Sequence, residues 1–136
     1  MGENSAMSVL SQRYASQAMR DIWSPEAKIV AERKLWIAVM RAQSGLGHVI
    51  AANVISDYEK VINKVDLAAI DAREKSLRHD VKVQIEEFNS LAGHEAIHAG
   101  MTSRDLTENI ESWQVRASLL LVRDRVVALL TALGVR

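Results

Sequence analysis

The last quarter of the sequence, from Thr102 onward, has helical hydrophobic spacing and contains no proline or glycine until its last three residues. Thr102 and Asp105 have the spacing of a capping box, which predicts that a helix begins here with Thr102 or Ser103 as its cap. From Leu106 to Leu133 such a helix would extend ~42 Å, more than a compact domain of this size can cover. The sequence therefore predicts one long helix that reaches beyond the residues preceding it.

Two apolar seams run along this helix on different faces. One comprises Leu106, Ile110, Trp113, Ala117, Leu120 and Val127. The other comprises Val115, Leu119, Val122, Val126, Leu129 and Leu133, at the heptad spacing of bundled helices. A helix with two apolar faces needs neighbours on two sides, so we expect a helical bundle truncated at the end of the chain. The predicted organisation is an amino-terminal helical domain at 1–101 and the first long helix of a truncated bundle at 102–136.

The composition is that of an all-α protein with an ordinary core. One proline, six glycines and a 49% apolar content leave few helix breakers, and no strand-like alternation is evident. Seventeen basic residues balance seventeen acidic ones, which argues against nucleic acid or an anionic membrane as a partner. The sequence has no cysteine, so a reducing cytoplasm is the expected location. We also expect no membrane span and no signal peptide, because no apolar run approaches ~18 residues.

Local signals place the earlier helices. Ser24 and Pro25 suit the cap and first position of a helix that ends at Gly45 or Gly47. Its apolar stripe comprises Ile29, Val30, Trp36, Ile37 and Met40. Residues 1–12 carry no firm signal and are expected to be extended or frayed.

Further helices are predicted between these two segments. Residues 48–64 should hold a short piece and a helix. Its inward side chains are expected to be Val54, Ile55, Tyr58, Val61 and Ile62. Asp66 is the expected cap of "LAAIDAREKSL" and Asp80 that of "VKVQIEEFNSLA", with Gly93 ending the latter helix.

Residues His94 to His98 spell H-E-x-x-H, the pattern of zinc peptidases. In those enzymes both histidines lie on one face of an uninterrupted helix, where they reach the same metal ion. Here Gly93 precedes the string and Gly100 follows it, and glycine costs up to ~1 kcal/mol inside a helix. We therefore predict that residues from His94 to Met101 connect two helices and bind no metal.

Four sequence blocks are similar to a known family. They are "RYAS" at 13–16, "IWSPEAKI" at 22–29, "RHDV" at 78–81 and "IHAGMTSRDLTEN" at 97–109. Together they resemble the amino-terminal region of the adenylosuccinate lyases, which belong to the fumarase/aspartase superfamily. The resemblance extends over the chain from Arg13 onward. It implies that the HEAIH string is a coincidence of sequence, in a loop that approaches a substrate-binding helix N-terminus.

The resemblance implies a function for the full enzyme: elimination of fumarate from adenylosuccinate, giving AMP, and the same step on the succinylated aminoimidazole carboxamide ribotide of purine synthesis. A base removes a proton from the succinyl carbon, and an acid protonates the departing nitrogen. The implied active sites are assembled from three subunits of a homotetramer, without a cofactor. A phosphate and two succinyl carboxylates require a site rich in anion donors.

Candidate site residues follow from two of the matched blocks. His79 lies beside a predicted helix N-terminus, where backbone donors attract anions. By resemblance it is the catalytic histidine next to the succinyl group, and Arg78 and Asp80 are its orienting neighbours. His98 matches a histidine that lies near the phosphate in those relatives that have it.

The remaining candidates come from the first and last blocks. Arg13 and Tyr14 resemble nucleotide-phosphate contacts of the family. Thr102 and Ser103 are expected at a helix N-terminus, where hydroxyls and N–H groups can hold a carboxylate. The family's later histidine, its general acid, and the serine-bearing mobile loop that supplies its base have no counterpart in these 136 residues. We therefore expect the chain to be inactive alone.

Two alternatives stay open at this point. The chain could be a non-catalytic helical interaction module that binds partners through its two-seamed helix. It could also belong to a sister lyase such as argininosuccinate lyase, although the RYAS and IWSPE blocks favour adenylosuccinate. The expected partners are a small-molecule substrate and, through the terminal helix, other copies of the chain.

Overall fold

The computed structural model describes residues 9–134, which form seven helices and no strand. The helices are α1 (Val9–Tyr14), α2 (Gln17–Trp23), α3 (Pro25–Gly45), α4 (Ala52–Val61), α5 (Leu67–Leu77), α6 (Asp80–Ala92) and α7 (Ser103–Gly134). The all-α prediction is confirmed for this part of the chain. The predicted extended lead is wrong for residues 9–12, which are helical in α1, and its residues 1–8 lie outside the described residues.

Most of the predicted helix ends are confirmed. α3 begins at Pro25, and Asp66 caps α5 by accepting a hydrogen bond from the N–H of Ala69 at 3.0 Å. α6 ends at Gly93, whose φ of 74° is the left-handed conformation that glycine adopts at little cost. Each of these helix ends depends on a few consecutive residues, so the sequence alone predicts it.

The described chain forms two compact units. One lies within Pro25–Glu111 and contains α3 to α6 and the first part of α7. The other comprises residues up to Ser24 and from Ser112 onward, with α1, α2 and the remainder of α7. The predicted domain boundary between residues 101 and 102 stays a prediction.

The unit at Pro25–Glu111 has an apolar core in which α6 packs against α4 and α5, and α3 packs against α4. Its largest cluster of buried side chains comprises Trp36, Ile37, Met40, Tyr58, Val61, Val81, Phe88, Ile97 and Leu106. The ring of Phe88 stacks on Trp36 at 6.2 Å between centroids and meets Tyr58 edge-on at 4.9 Å. Such aromatic pairs add about 0.5–1.5 kcal/mol beyond the burial of their area.

An ion pair is enclosed in the same unit. Arg33 Nη2 lies 2.6 Å from Glu87 Oε2, and the side chain of Arg33 is 1% exposed. Arg33 Nη1 also donates to the carbonyl oxygens of Val61, Ile62 and Lys64 at 2.9–3.2 Å. The guanidinium therefore caps the carboxyl end of α4, where backbone carbonyls lack helical partners.

The other unit is held by polar contacts of α7. Trp23 Nε1 donates to Ser118 Oγ, and Gln114 Nε2 donates to the carbonyl oxygen of Ile22, each at 2.9 Å. Gln114 is buried, whereas Trp113 is 46% exposed. Within the predicted first seam, Leu106 and Ile110 are buried, and the amide of Gln114 rather than Trp113 takes the next buried position.

The carboxyl-terminal part of α7 carries many exposed apolar side chains. Those of the predicted second seam are between 48% and 64% exposed: Val115, Leu119, Val122, Val126, Leu129 and Leu133. Val122, Val126 and Leu129 line a pocket together with Tyr14 and Met19, yet the described residues leave about half of each seam side chain uncovered. Within residues 9–134, no helix combines the length and the apolar character that crossing a membrane requires.

Candidate functional site

The RHDV segment is a tight connection between α5 and α6. α5 ends with Arg78 in the left-handed conformation at φ 51°, and its N–H donates to the carbonyl oxygen of Glu74 at 2.8 Å. His79 then caps α6, because its Nδ1 accepts the N–H of Lys82 at 3.2 Å. The predicted cap, Asp80, is instead the first residue of the helix. The imidazole Nδ1 stands as many bonds from Cα as an aspartate oxygen does, so histidine can replace the usual cap.

This capping bond determines which nitrogen of His79 is available. Because Nδ1 accepts a backbone hydrogen bond, the neutral ring carries its proton on Nε2. The three RHD residues line a surface pocket of about 630 Å³. Its other lining residues are Asp71, Glu74 and Lys75. The RHD segment is thus solvent-accessible and able to meet a small molecule.

The second candidate segment, 93–102, is a non-helical loop. Three of its residues adopt positive φ: Gly93 at 74°, His98 at 66° and Gly100 at 72°. Histidine is uncommon in this conformation, which is held only where surrounding contacts determine it. The prediction that the HEAIH string is not helical is confirmed.

Side chains of α4 hold the first half of the loop. His94 Nε2 lies 2.9 Å from Asp57 Oδ2, and hydrogen bonding to His94 lowers the pKa of the Asp57 carboxyl. The hydroxyl of Tyr58 accepts the N–H of Ala96 at 3.1 Å and lies 2.9 Å from the carbonyl oxygen of His94. It also lies 2.5 Å from Asn89 Oδ1. These contacts fix the loop before it reaches His98.

Side chains of α3 hold the second half. Trp36 Nε1 donates to His98 Nδ1 at 3.1 Å, and Gln43 Nε2 donates to the carbonyl oxygen of Ala99 at 2.9 Å. Sequence reasoning missed this set of supporting residues, because a helical apolar stripe predicts burial for Trp36 and gives no indication of a polar partner 62 positions away.

The loop ends at the start of α7 in the predicted capping box. The N–H of Thr102 donates to Asp105 Oδ2 at 2.7 Å, and the N–H of Asp105 donates to Thr102 Oγ1 at 3.3 Å. The hydroxyl of Thr102 also donates to Asp105 Oδ2 at 3.0 Å. Hydrogen bonds from the Thr102 backbone and then its side chain lower the pKa of Asp105. Ser103 follows as the first, half-buried residue of the helix.

The pKa of His98 depends on charged groups from both segments. Burial of the half-buried ring lowers the pKa of His98. The negative charge of Asp105 opposes this shift, and a proton on His79 would add to it. His79, His98 and the start of α7 are therefore close enough for their charges to interact.

Arg13 and Tyr14 lie in the other compact unit, as the last two residues of α1. The side chain of Tyr14 is 78% exposed and lines a pocket of about 400 Å³ between the α1–α2 segment and α7. Arg125 contributes a positive charge to the same pocket.

The two histidines of the HEAIH string are committed to different partners. His94 pairs with Asp57, and His98 receives the indole N–H of Trp36. Among residues 9–134, no three His, Cys, Asp or Glu side chains are grouped so that they could hold a metal ion.

Comparison with known proteins identifies relatives of this sequence. No family model matches the chain. An adenylosuccinate lyase of Methanocaldococcus jannaschii is 28% identical over 129 residues, which are 92% of this chain and 28% of that protein. The adenylosuccinate lyase of Synechocystis is 32% identical over 124 residues, or 90% of this chain and 28% of that protein. The adenylosuccinate lyase of Saccharomyces cerevisiae is 32% identical over 120 residues, which are 85% of this chain and 23% of that protein.

The chain thus spans less than a third of the length of the curated relatives it matches. Over about nine-tenths of its own length it is similar to adenylosuccinate lyases, as an amino-terminal region of that family.

Proposed function

We propose that this chain is the amino-terminal segment of an adenylosuccinate lyase. The full enzyme eliminates fumarate from adenylosuccinate, giving AMP, and from the succinylated aminoimidazole carboxamide ribotide of purine synthesis. The chain supplies anion-binding and orienting groups to that reaction, in the cytoplasm and without a cofactor.

The observation that carries this proposal is that the RHD segment, His98 and the start of α7 belong to one compact unit, in which the N–H of Met101 donates to the carbonyl oxygen of His98 at 3.3 Å. His79 and Asp105 both act electrostatically on His98, although 19 and 7 positions separate them from it. A dianionic succinyl group and a phosphate need several donors that converge on one place. Three loop and helix-end segments that meet in one unit are suited to provide them.

Each candidate residue has a proposed role. His79 contacts the succinyl group through Nε2, since Nδ1 is used in capping α6. Arg78 and Asp80 orient it. Ser103 and the N–H groups at the start of α7 bind a carboxylate, and Thr102 assists through its place in the capping box.

Three further candidates are assigned to the phosphate. Arg13 offers a guanidinium and Tyr14 an exposed hydroxyl at the end of α1. By the resemblance, His98 donates a hydrogen bond to a phosphate oxygen of the ligand. Arginine is suited to this task because its planar fork matches phosphate oxygens.

The proton transfers require groups that these 136 residues do not carry. The resemblance assigns the general acid to a later histidine and the base to a serine-bearing loop, and neither string occurs in this sequence. We therefore propose that the chain alone releases no fumarate. Binding and orientation without a base and an acid leave both protons in place.

The experiment uses a full-length lyase that carries this sequence as its amino-terminal segment. His79→Asn keeps a side-chain acceptor for the N–H of Lys82 but removes the imidazole, whereas His79→Ala removes both. We expect both variants to lower kcat by at least about a hundredfold, as loss of a positioned acid–base or donor group does. Only the alanine variant should also lose about 1 kcal/mol of stability, from the missing cap.

Lys75→Ala is the matched control, since Lys75 lines the same pocket on α5 without a proposed role. It should keep kcat within a few-fold of the wild type. Wild-type turnover in His79→Asn would contradict the assignment. Activity on argininosuccinate instead of adenylosuccinate would move the chain to the sister lyase, and activity on neither would favour the interaction module.

The exposed second seam of α7 supports a separate proposal: copies of the chain associate through it, within a homotetramer in the full enzyme. Contiguous apolar patches larger than a few hundred Å² are rare on soluble monomers. Six exposed Val and Leu side chains at heptad spacing are typical of a helix that pairs with others.

A further inference from the structure

The hydrogen bond between Trp36 and His98 has only one possible direction. Indole Nε1 carries a proton and has no lone pair to offer, so Trp36 always donates. His98 Nδ1, at 3.1 Å, must therefore present a lone pair rather than a proton. A neutral imidazole whose Nδ1 is unprotonated carries its single proton on Nε2.

The burial of Trp36 makes this arrangement compulsory. Its side chain is 0% exposed, so water cannot accept the indole proton. A buried donor without an acceptor costs about 1–3 kcal/mol, and rotating the imidazole by half a turn would place a carbon opposite the indole. The edge-on contact of the two rings, at 83° between planes, directs the indole N–H toward the ring edge of His98.

Protonation of His98 would break the bond. A charged imidazolium carries protons on both nitrogens, so Nδ1–H would face the indole N–H. Burial of the ring disfavours the same step, whereas the negative charge of Asp105 favours it. The left-handed backbone of His98 and the bond from Gln43 to Ala99 hold the ring in position.

We propose that Trp36 is a positioning residue that fixes His98 as the neutral Nε2–H tautomer. His98 then donates a hydrogen bond to an anionic oxygen of the ligand and transfers no proton to or from it. The state of the imidazole follows from the fold alone, whereas its role toward a ligand rests on the proposed function. The two parts therefore have separate tests.

The first test measures the imidazole directly. Long-range proton–nitrogen NMR spectra of the ¹⁵N-labelled chain distinguish a protonated from an unprotonated ring nitrogen. In the wild type, we expect His98 to show unprotonated Nδ1 and protonated Nε2, and to remain neutral below the ordinary histidine pKa of 6.5. Protonated Nδ1 in the wild type at neutral pH would overturn the proposal without any variant.

Trp36→Phe keeps an aromatic ring but removes the donor. We expect the Nδ1–H tautomer of His98 to become populated and its pKa to rise toward the ordinary value. Trp23→Phe is the matched control, because it removes an indole N–H that donates to Ser118 instead. An unchanged His98 spectrum in folded Trp36→Phe would refute the positioning role, and circular dichroism establishes whether that variant is folded.

The second test uses turnover in the full-length lyase. His98→Gln retains a neutral donor, whereas His98→Leu retains none. We expect kcat/KM of the glutamine variant to be at least about tenfold higher than that of the leucine variant, which is the value of a hydrogen bond to a charged group. The pH dependence of kcat/KM in the glutamine variant should keep both of its limbs. Loss of a limb in His98→Gln would show that His98 carries a proton. Equal activity of the two variants would show that it makes no contact with the ligand, with the NMR result unaffected.

Discussion

Arg33 on α3 and Glu87 on α6 form an ion pair whose side chains are 1% and 8% exposed, 54 positions apart in the sequence. The guanidinium also serves three carbonyl groups at the end of α4. Arg33 thus joins three helices of the unit that carries His79 and His98.

Removing one partner of this pair should be costly. Glu87→Leu leaves the guanidinium buried without its counter-charge, and we expect a loss of about 3–5 kcal/mol in the free energy of unfolding. The double variant Arg33→Met, Glu87→Leu should recover part of this loss but not all. The carbonyl groups of Ile62 and Lys64 would still lack the donor that Arg33 supplies, at about 1–3 kcal/mol for each unsatisfied group, whereas that of Val61 keeps the N–H of Lys64.

Urea unfolding followed by circular dichroism measures these changes. The exposed pair of Arg104 and Glu108 on α7 is the matched control, and Arg104→Ala should cost less than about 1 kcal/mol. A double variant as stable as the wild type would mean that Arg33 contributes nothing to α4.

The buried carboxyl of Glu32 should make the free energy of unfolding depend on pH. Both of its carboxylate oxygens are buried, and Lys28 Nζ lies 3.8 Å from one of them. Burial raises the pKa of Glu32 from 4.5 to about 7, against the nearby charge of Lys28 and with a smaller contribution from Asp80. The folded chain therefore keeps this carboxyl protonated at pH values at which the unfolded chain has lost the proton.

The sign follows from that difference. Below pH 4.5 the carboxyl is protonated in both states, and it does not oppose folding. As the pH rises from 4.5 to about 7, the unfolded state alone ionises, and stability falls by up to ~3 kcal/mol. Glu32→Gln, which cannot ionise, should remove this fall and be more stable than the wild type above pH 7.

Urea unfolding at several pH values tests this prediction by giving the difference in free energy of unfolding between Glu32→Gln and the wild type. Glu111→Gln, at an exposed position of α7, should leave the pH dependence unchanged. A parallel pH dependence in Glu32→Gln and the wild type would mean that the buried carboxyl ionises normally.

The sequence predicted those features whose signals are local. The Asp66 cap, the glycine that ends α6 and the Thr102–Asp105 box each depend on a few neighbouring residues, and all three are present. The observed cap of α6, His79, lies one residue before the predicted cap, Asp80, because histidine is not among the usual capping residues. In the site, the resemblance named the residues, and the spatial proximity of His79 to His98 required the fold.

Long-range polar contacts could not be predicted in the same way. Arg33 lies on the apolar stripe of α3, four positions after Ile29 and three before Trp36, and this placement is the one signal of its burial. Its partner Glu87 is 54 positions away, beyond any helical period. The bond from Trp36 to His98 is equally invisible, since pattern reasoning treats tryptophan as apolar.

We expect no stoichiometric zinc in the purified protein. His94 and His98 do not share a helical face, and each already has a polar partner. Elemental analysis of wild type and His94→Ala should give the same background metal content. One tightly bound zinc per chain that disappears in His94→Ala would overturn this prediction.

Self-association through α7 should depend on its second seam. Leu119→Glu or Val126→Glu places a charge among exposed apolar side chains, and each should weaken association by at least about tenfold because the charge would be desolvated. Light scattering over a range of concentrations measures the effect. Arg116→Glu, also exposed but outside the seam, is the control. A wild-type chain that stays monomeric at high micromolar concentration would contradict the proposal.

The left-handed backbone of Arg78 has a consequence for protein engineering. A non-glycine residue in this conformation costs roughly 1–2 kcal/mol, and glycine or asparagine adopts it more easily. A screen for heat resistance alone would therefore favour Arg78→Gly or Arg78→Asn and discard a guanidinium that the proposed chemistry uses. Directed evolution of such a protein would have to select for turnover and melting temperature together, because at this position the two objectives favour different amino acids.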